Sequence, residues 1–188
     1  MNTPAHILIG AALFGRGPGR AVVAAAAIGA VLPDLSLYLL AGWALHVQQI
    51  PPSIVFDELY FSPAWQKVFA VDNSLVLWGG VLVLGLALRK PVLMAFAGSG
   101  VLHLLLDLLL HAGDGRPHFW PFSDWVFDSP VSYWDSHHHA SIVVPLSAMI
   151  CVLAFSVLWR RSGWIGRGGG VALLGAEIWV AYQWLMFF

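Results

Sequence analysis

The sequence predicts an all-α fold: a polytopic membrane helix bundle of about five transmembrane helices behind a short N-terminal half-helix, built as one domain over residues 1–188. Three observations carry this. Hydrophobic residues make up 59% of the chain and charged residues only 10%, with mean hydropathy +0.77. A soluble domain carries roughly 25% charged residues, enough to cover a water-facing surface. The apolar residues also fall in long runs, and about 20 such residues make one bilayer crossing. Finally, seven of the nine Lys and Arg residues sit in three short turns between those runs.

Residues 5–15 read as a helix, with Thr3 as N-cap and Pro4 at the first helical position. They are too few to span, so this is a half-helix or re-entrant segment carrying His6 near its start. Gly15 to Gly19, with Arg16 and Arg20, make a turn. The first full span is 21–45, broken in mid-membrane by Pro33 and Asp34. Proline removes a backbone hydrogen bond, and a carboxylate at that depth costs roughly 2.5–3.5 kcal/mol, so it needs a partner. Residues 46–72 read as a loop containing three prolines, Trp65 and the acidic pair Asp57-Glu58. A second span, 74–88, follows Asp72-Asn73-Ser74, and Arg89-Lys90-Pro91 turns the chain into the third, 92–111. A second long loop, 112–138, is rich in aromatics, prolines and aspartates. The fourth span is 140–159, and a turn with Arg160, Arg161 and Arg167 leads to the fifth, 171–188.

If the spans alternate, all three basic turns share one side, which the positive-inside rule makes cytoplasmic. An integral protein of a bacterial inner membrane is expected, with both long loops facing outward. Its standing partner is the lipid bilayer. Net charge −1, with no basic block, argues against nucleic acid. The single cysteine, Cys151, allows no disulfide within one chain. The amino terminus lacks a cationic n-region followed by a cleavage site, so a removable signal peptide is not expected. No serine has a Gly-x-Ser-x-Gly setting, and no phosphate-cradling glycine loop is present.

The chemistry concentrates in His103-Leu-Leu-Leu-Asp107-Leu-Leu-Leu-His111, where ionisable residues interrupt an apolar run at every fourth position. On a helix that step keeps them in one slowly drifting row. Imidazole and carboxylate donors one turn apart suit a divalent metal; the plainer alternative is a polar seam between packed helices. With the expected topology, Asp34, Asp72, His103, Asp107 and His111 gather in the outer half. His118, Asp135 and the run His137-His138-His139 surround the outer mouth. Intramembrane ionisable residues tend to face a bundle interior or wet cavity. The candidate metal ligands are therefore His6, Asp34, Asp72, His103, Asp107, His118 and His139. Asp34 and Asp107 are the candidate catalytic carboxylates, and Arg116 would stabilise an anionic group by a charge-assisted bond. His111 meets either the metal or only the interface, and Trp120, Trp125, Tyr133 and Trp134 read as interface anchors. Glu177, in the last span, is a buried partner or a snorkelling residue.

Several pieces resemble the YdjM-like family of inner-membrane metal-dependent hydrolases: Thr3-Pro4-Ala5-His6 with Gly10, Leu32-Pro33-Asp34, and His103-x3-Asp107 followed by Trp120-Pro121-Phe122. A more distant similarity is to zinc-dependent phospholipase C, where an early His, an Asp and an His-x3-Asp helix hold metals; here these are His6, Asp34, His103 and Asp107. The family pattern has Asp-x-Asp where this chain has Asp34-Leu35-Ser36, and Thr-His-Ser where it has Asp72-Asn73-Ser74. Asp72 then offers a carboxylate in place of that histidine. The resemblance implies a membrane-embedded hydrolase using a divalent metal, zinc first and manganese second, on an ester or phosphoester. The outer-leaflet depth points to a lipid-like substrate. The rival expectation is a non-catalytic metal or ion carrier, or a membrane scaffold protein, since broken helices and midplane carboxylates suit transport equally.

Overall fold

The computed structural model describes residues 1–17 and 19–187; Pro18, in the predicted first turn, and Phe188, ending the predicted last span, lie outside them. All regular structure among the described residues is helical. Helix α1 is Thr3–Phe14 and α2 is Arg20–His46. A single turn, α3 (Pro52–Ile54), runs into a π-helical turn at Val55–Leu59. Then come α4 (Pro63–Asp72), α5 (Leu75–Ala87) and α6 (Pro91–Leu110), a 3-10 turn at Ser136–His138, α7 (Ala140–Arg161) and α8 (Trp164–Phe187).

Four stretches are long and apolar enough to cross a membrane: Arg20–His46, Pro63–Ala87 (α4 and α5 together), Pro91–Leu110 and Ala140–Arg161. This is an integral membrane protein with an all-α bundle. That count is of the described residues; helix α8, with 24 residues, occupies the place of the expected fifth span. The second span also begins earlier than expected, inside the segment read as a loop. Ser62 starts it: its Oγ accepts from the Trp65 amide at 3.4 Å, with Pro63 in the first turn. Ser74 restarts the helix after a break at Asn73, accepting from the Leu77 amide at 3.1 Å.

The short α1 sits in the middle of the bundle, packed against α2, α6, α7 and α8. A segment too short to span is tolerated at membrane depth when protein surrounds it, and Ala5 and Leu8 are fully buried. Its first residue is Thr3 rather than Ala5, and Asn2 precedes it as the cap residue. The Thr3 hydroxyl turns to Asp34 instead of the helix end, donating to Oδ2 at 2.9 Å. Helices α2 and α6 approach closely through small residues, Ala25, Ala26 and Ala95. Even a Cβ on Gly29 would collide with the Phe96 carbonyl. That closeness places Ala30 and Asp34 against His103.

Candidate metal centre

Helix α6 supplies the spine of the site. Its four-residue steps stack His103, Asp107 and His111 on one face: His103 Nε2 lies 3.0 Å from Asp107 Oδ2, and His111 Nε2 lies 3.5 Å from Asp107 Oδ1. The helix ends at this point because the following loop takes over its free carbonyls. Ser129 Oγ donates to Leu109 O at 2.7 Å, and the Ser129 and Tyr133 amides donate to His111 O and Leu110 O at 3.2 and 3.1 Å.

Two other helices aim side chains at the same spot. From α1, His6 Nε2 lies 2.9 Å from Asp107 Oδ1, and its ring stacks on His103 with centroids 3.7 Å apart. From α2, Asp34 Oδ1 lies 3.6 Å from His103 Nε2. The Met1 amino nitrogen lies 2.7 Å from Asp107 Oδ1. Thr3 and Tyr38, whose hydroxyls touch each other, brace the Asp34 side.

The chemistry of this donor set fits a divalent metal. His6, His103 and Asp107 are all buried, and one ligand atom from each lies within 4.8 Å of the others. The Ala30 carbonyl can only accept, so His103 Nδ1, at 2.7 Å, carries its proton. Its Nε2 is buried between two carboxylates, 3.0 Å from Asp107 Oδ2 and 3.6 Å from Asp34 Oδ1, a position that a proton or a metal ion fills. A carbonyl on the far nitrogen is the usual means of orienting a metal-ligating histidine. His6 Nδ1 is buried without a partner among the described residues.

Above the group lies a cavity of about 690 Å³, a size typical of ligand sites. Both long loops line it, and Asp34, Asp107, His111, Asp114, Arg116 and His118 face it. His118 is held by the α4–α5 junction, where the Leu75 amide donates to its carbonyl at 2.8 Å. Its Nδ1 donates to Arg116 O at 2.8 Å, and Nε2 is buried without a partner among the described residues. Burial holds the His118 pKa below the usual histidine value, so the ring is a neutral donor of a lone pair. Burial also pushes the Tyr60 hydroxyl, in the same wall, up to about 12.

Of the sequence candidates, then, His6, Asp34, His103 and Asp107 meet, and Arg116 and His118 share the cavity above them. Asp72 and His139 stand outside this group. The Asp72 carboxylate accepts from Asn73 Nδ2 at 3.1 Å and does not line the cavity. His139 is exposed, with left-handed φ of 65° at the start of α7. Its neighbours His137 and His138 close a local turn with Asp135, the His138 Nδ1 contact being 2.7 Å. Sequence reasoning missed Thr3, Tyr38 and Asp114. Tyr38 follows Asp34 by one helical turn and Asp114 follows His111 by three residues, holding its Nδ1 at 2.9 Å. That spacing was the available signal. No protein-family model, curated protein or solved structure matches this chain.

Proposed function

We propose that this chain is a membrane-embedded, metal-dependent hydrolase of an ester or phosphoester, in which His6, Asp34, His103 and Asp107 hold the ion. The observation that carries the reading is the buried His6, His103 and Asp107 group, with one ligand atom of each within 4.8 Å of the others, and His103 Nε2 3.0 Å from one carboxylate and 3.6 Å from another. Three acceptors facing one another in a low-dielectric interior repel unless a cation or proton lies between them. A divalent ion bound there supplies Lewis-acid polarisation and a water that ionises near neutral pH. Around it the chain's own groups divide the work. The Ala30 carbonyl fixes the His103 tautomer, and Thr3 orients Asp34. Asp34 and Asp107 face the cavity, where either accepts a proton from an attacking water. Zinc suits two imidazoles with carboxylates, and manganese is the second choice.

The membership proposed with this activity is the YdjM-like family, on the residues quoted above. The location proposed is a bacterial inner membrane with both long loops outward. The basic short turns support it, as do the two long loops meeting over one cavity. A second reading, a non-catalytic scaffold or carrier, is favoured by one contact: the Met1 amine 2.7 Å from Asp107 is itself a cation at the carboxylate. The test is turnover of phosphodiester and lipid-ester substrates by detergent-purified chain. The hydrolase reading expects metal-dependent turnover that Asp107→Asn abolishes; turnover indifferent to chelator or to that substitution refutes it.

A further inference from the structure

We propose that Arg116 is the anion-binding residue of the cavity and that the ester bound there is a phosphate ester, not an acyl ester; this rests on the hydrolase reading and narrows its substrate. Arg116 is only 9% exposed and lines the cavity wall. Its guanidinium lies over the rings of Tyr60 and Phe69, at 4.4 and 4.0 Å from their centroids. Such faces stabilise the cation but leave its in-plane N–H donors free, and Nη1 is buried without a hydrogen-bond partner among the described residues. A buried, unsatisfied charged donor is costly, and no ion pair joins Arg116 to a carboxylate among the described residues. Asp114 is held by His111 through Oδ2 at 2.9 Å, while its Oδ1 is buried without a partner among those residues. Asp107 is shared by the Met1 amine and the imidazoles of His6, His103 and His111.

The missing partner is therefore an anion brought by the ligand. An acyl ester is neutral and offers Arg116 nothing to neutralise. A phosphate ester carries non-bridging oxygens that match the guanidinium fork while another faces the metal group. A second buried donor in the same wall, Trp134 Nε1, also lacks a partner among the described residues. Beside polar Asn2, Thr3, Asp57 and Asn73, the wall carries apolar Leu37, Phe56 and Phe61, so the phosphate is expected on a lipid carrier.

The test uses the full chain in detergent micelles, with and without zinc, and reads binding by calorimetry. The probes are micelles doped with dioleoyl phosphatidate, micelles doped with dioleoylglycerol, and inorganic phosphate. Wild type should prefer phosphatidate over dioleoylglycerol by about tenfold or more, the scale of one charge-assisted pair. Arg116→Gln, which removes the charge but keeps a polar amide, should reduce that preference to within about twofold, and Arg116→Ala should do the same. Trp134→Phe provides a further variant should Arg116 prove indispensable for folding, and is expected to weaken phosphatidate binding. Inorganic phosphate competing in wild type but not in Arg116→Gln also supports the site, and its affinity relative to phosphatidate distinguishes a soluble carrier from a lipid one. Wild type without a phosphatidate preference, or Arg116 variants that retain it, overturn the proposal. Absence of zinc or of turnover would instead count against the hydrolase reading, because the phosphate preference is read separately from both.

Discussion

Asp107→Asn is the sharpest perturbation of the site's electrostatics. The substitution keeps the side-chain shape but removes the one negative charge shared by the Met1 amine, His6, His103 and His111, all within 3.5 Å. The Asp107 side chain is only 9% exposed, so solvent cannot replace the lost charge. Removing one partner of a buried ion pair costs about 3–5 kcal/mol. For a chain of this size each kcal/mol moves the melting temperature by about 2–4 °C, giving a fall of about 6–20 °C. The assay is thermal unfolding in detergent, followed by tryptophan fluorescence, with chelator present in both samples so that metal contributes nothing. Adding His6→Gln to the Asp107→Asn variant should cost less than His6→Gln alone, because the two groups couple directly, by about 0.5–3 kcal/mol. A fall below about 2 °C, or strictly additive effects, would show that these contacts do not hold the polar centre together.

Two further outcomes follow from individual residues. His118 is held neutral by burial, its pKa lying below the unfolded value; a histidine that must stay neutral stabilises the fold above its unfolded pKa, and that contribution is lost as pH falls below about 6.5 toward the folded pKa. His118→Gln should therefore flatten the acid limb of melting temperature against pH, and an unchanged limb would contradict its burial as a neutral ring. His139 sits exposed in a left-handed conformation. His139→Gly should leave the melting temperature within about 2 °C, as relief of backbone strain and added unfolded-chain freedom nearly cancel, and should leave metal content unchanged. Loss of metal would place His139 among the ligands after all.

The residues of the site were legible in the sequence for a simple reason. In a chain with so little charge, each ionisable group inside an apolar run stands out, and His103 and Asp107 at a four-residue step must share a face. Asp34 stands out the same way behind Pro33, and His6 at the head of a helix too short to span. What lay beyond reach was set by tertiary ties. The loop carrying Arg116 and His118 is fastened by the Leu75 amide and by Ser129 and Tyr133 on the end of α6, pairings that no local pattern encodes. Asp114 and Tyr38 become site residues only through partners elsewhere in the chain. The Pro63–Asp72 helix was hidden by Pro63, which reads as loop but here starts a helix.

Elemental analysis of freshly purified full-length chain tests the central claim most directly. The account predicts about one divalent ion per chain, lost with His103→Ala, and a melting temperature that falls when chelator strips the ion. Protein carrying fewer than about 0.1 ion per chain, and melting identically with and without chelator, would contradict it.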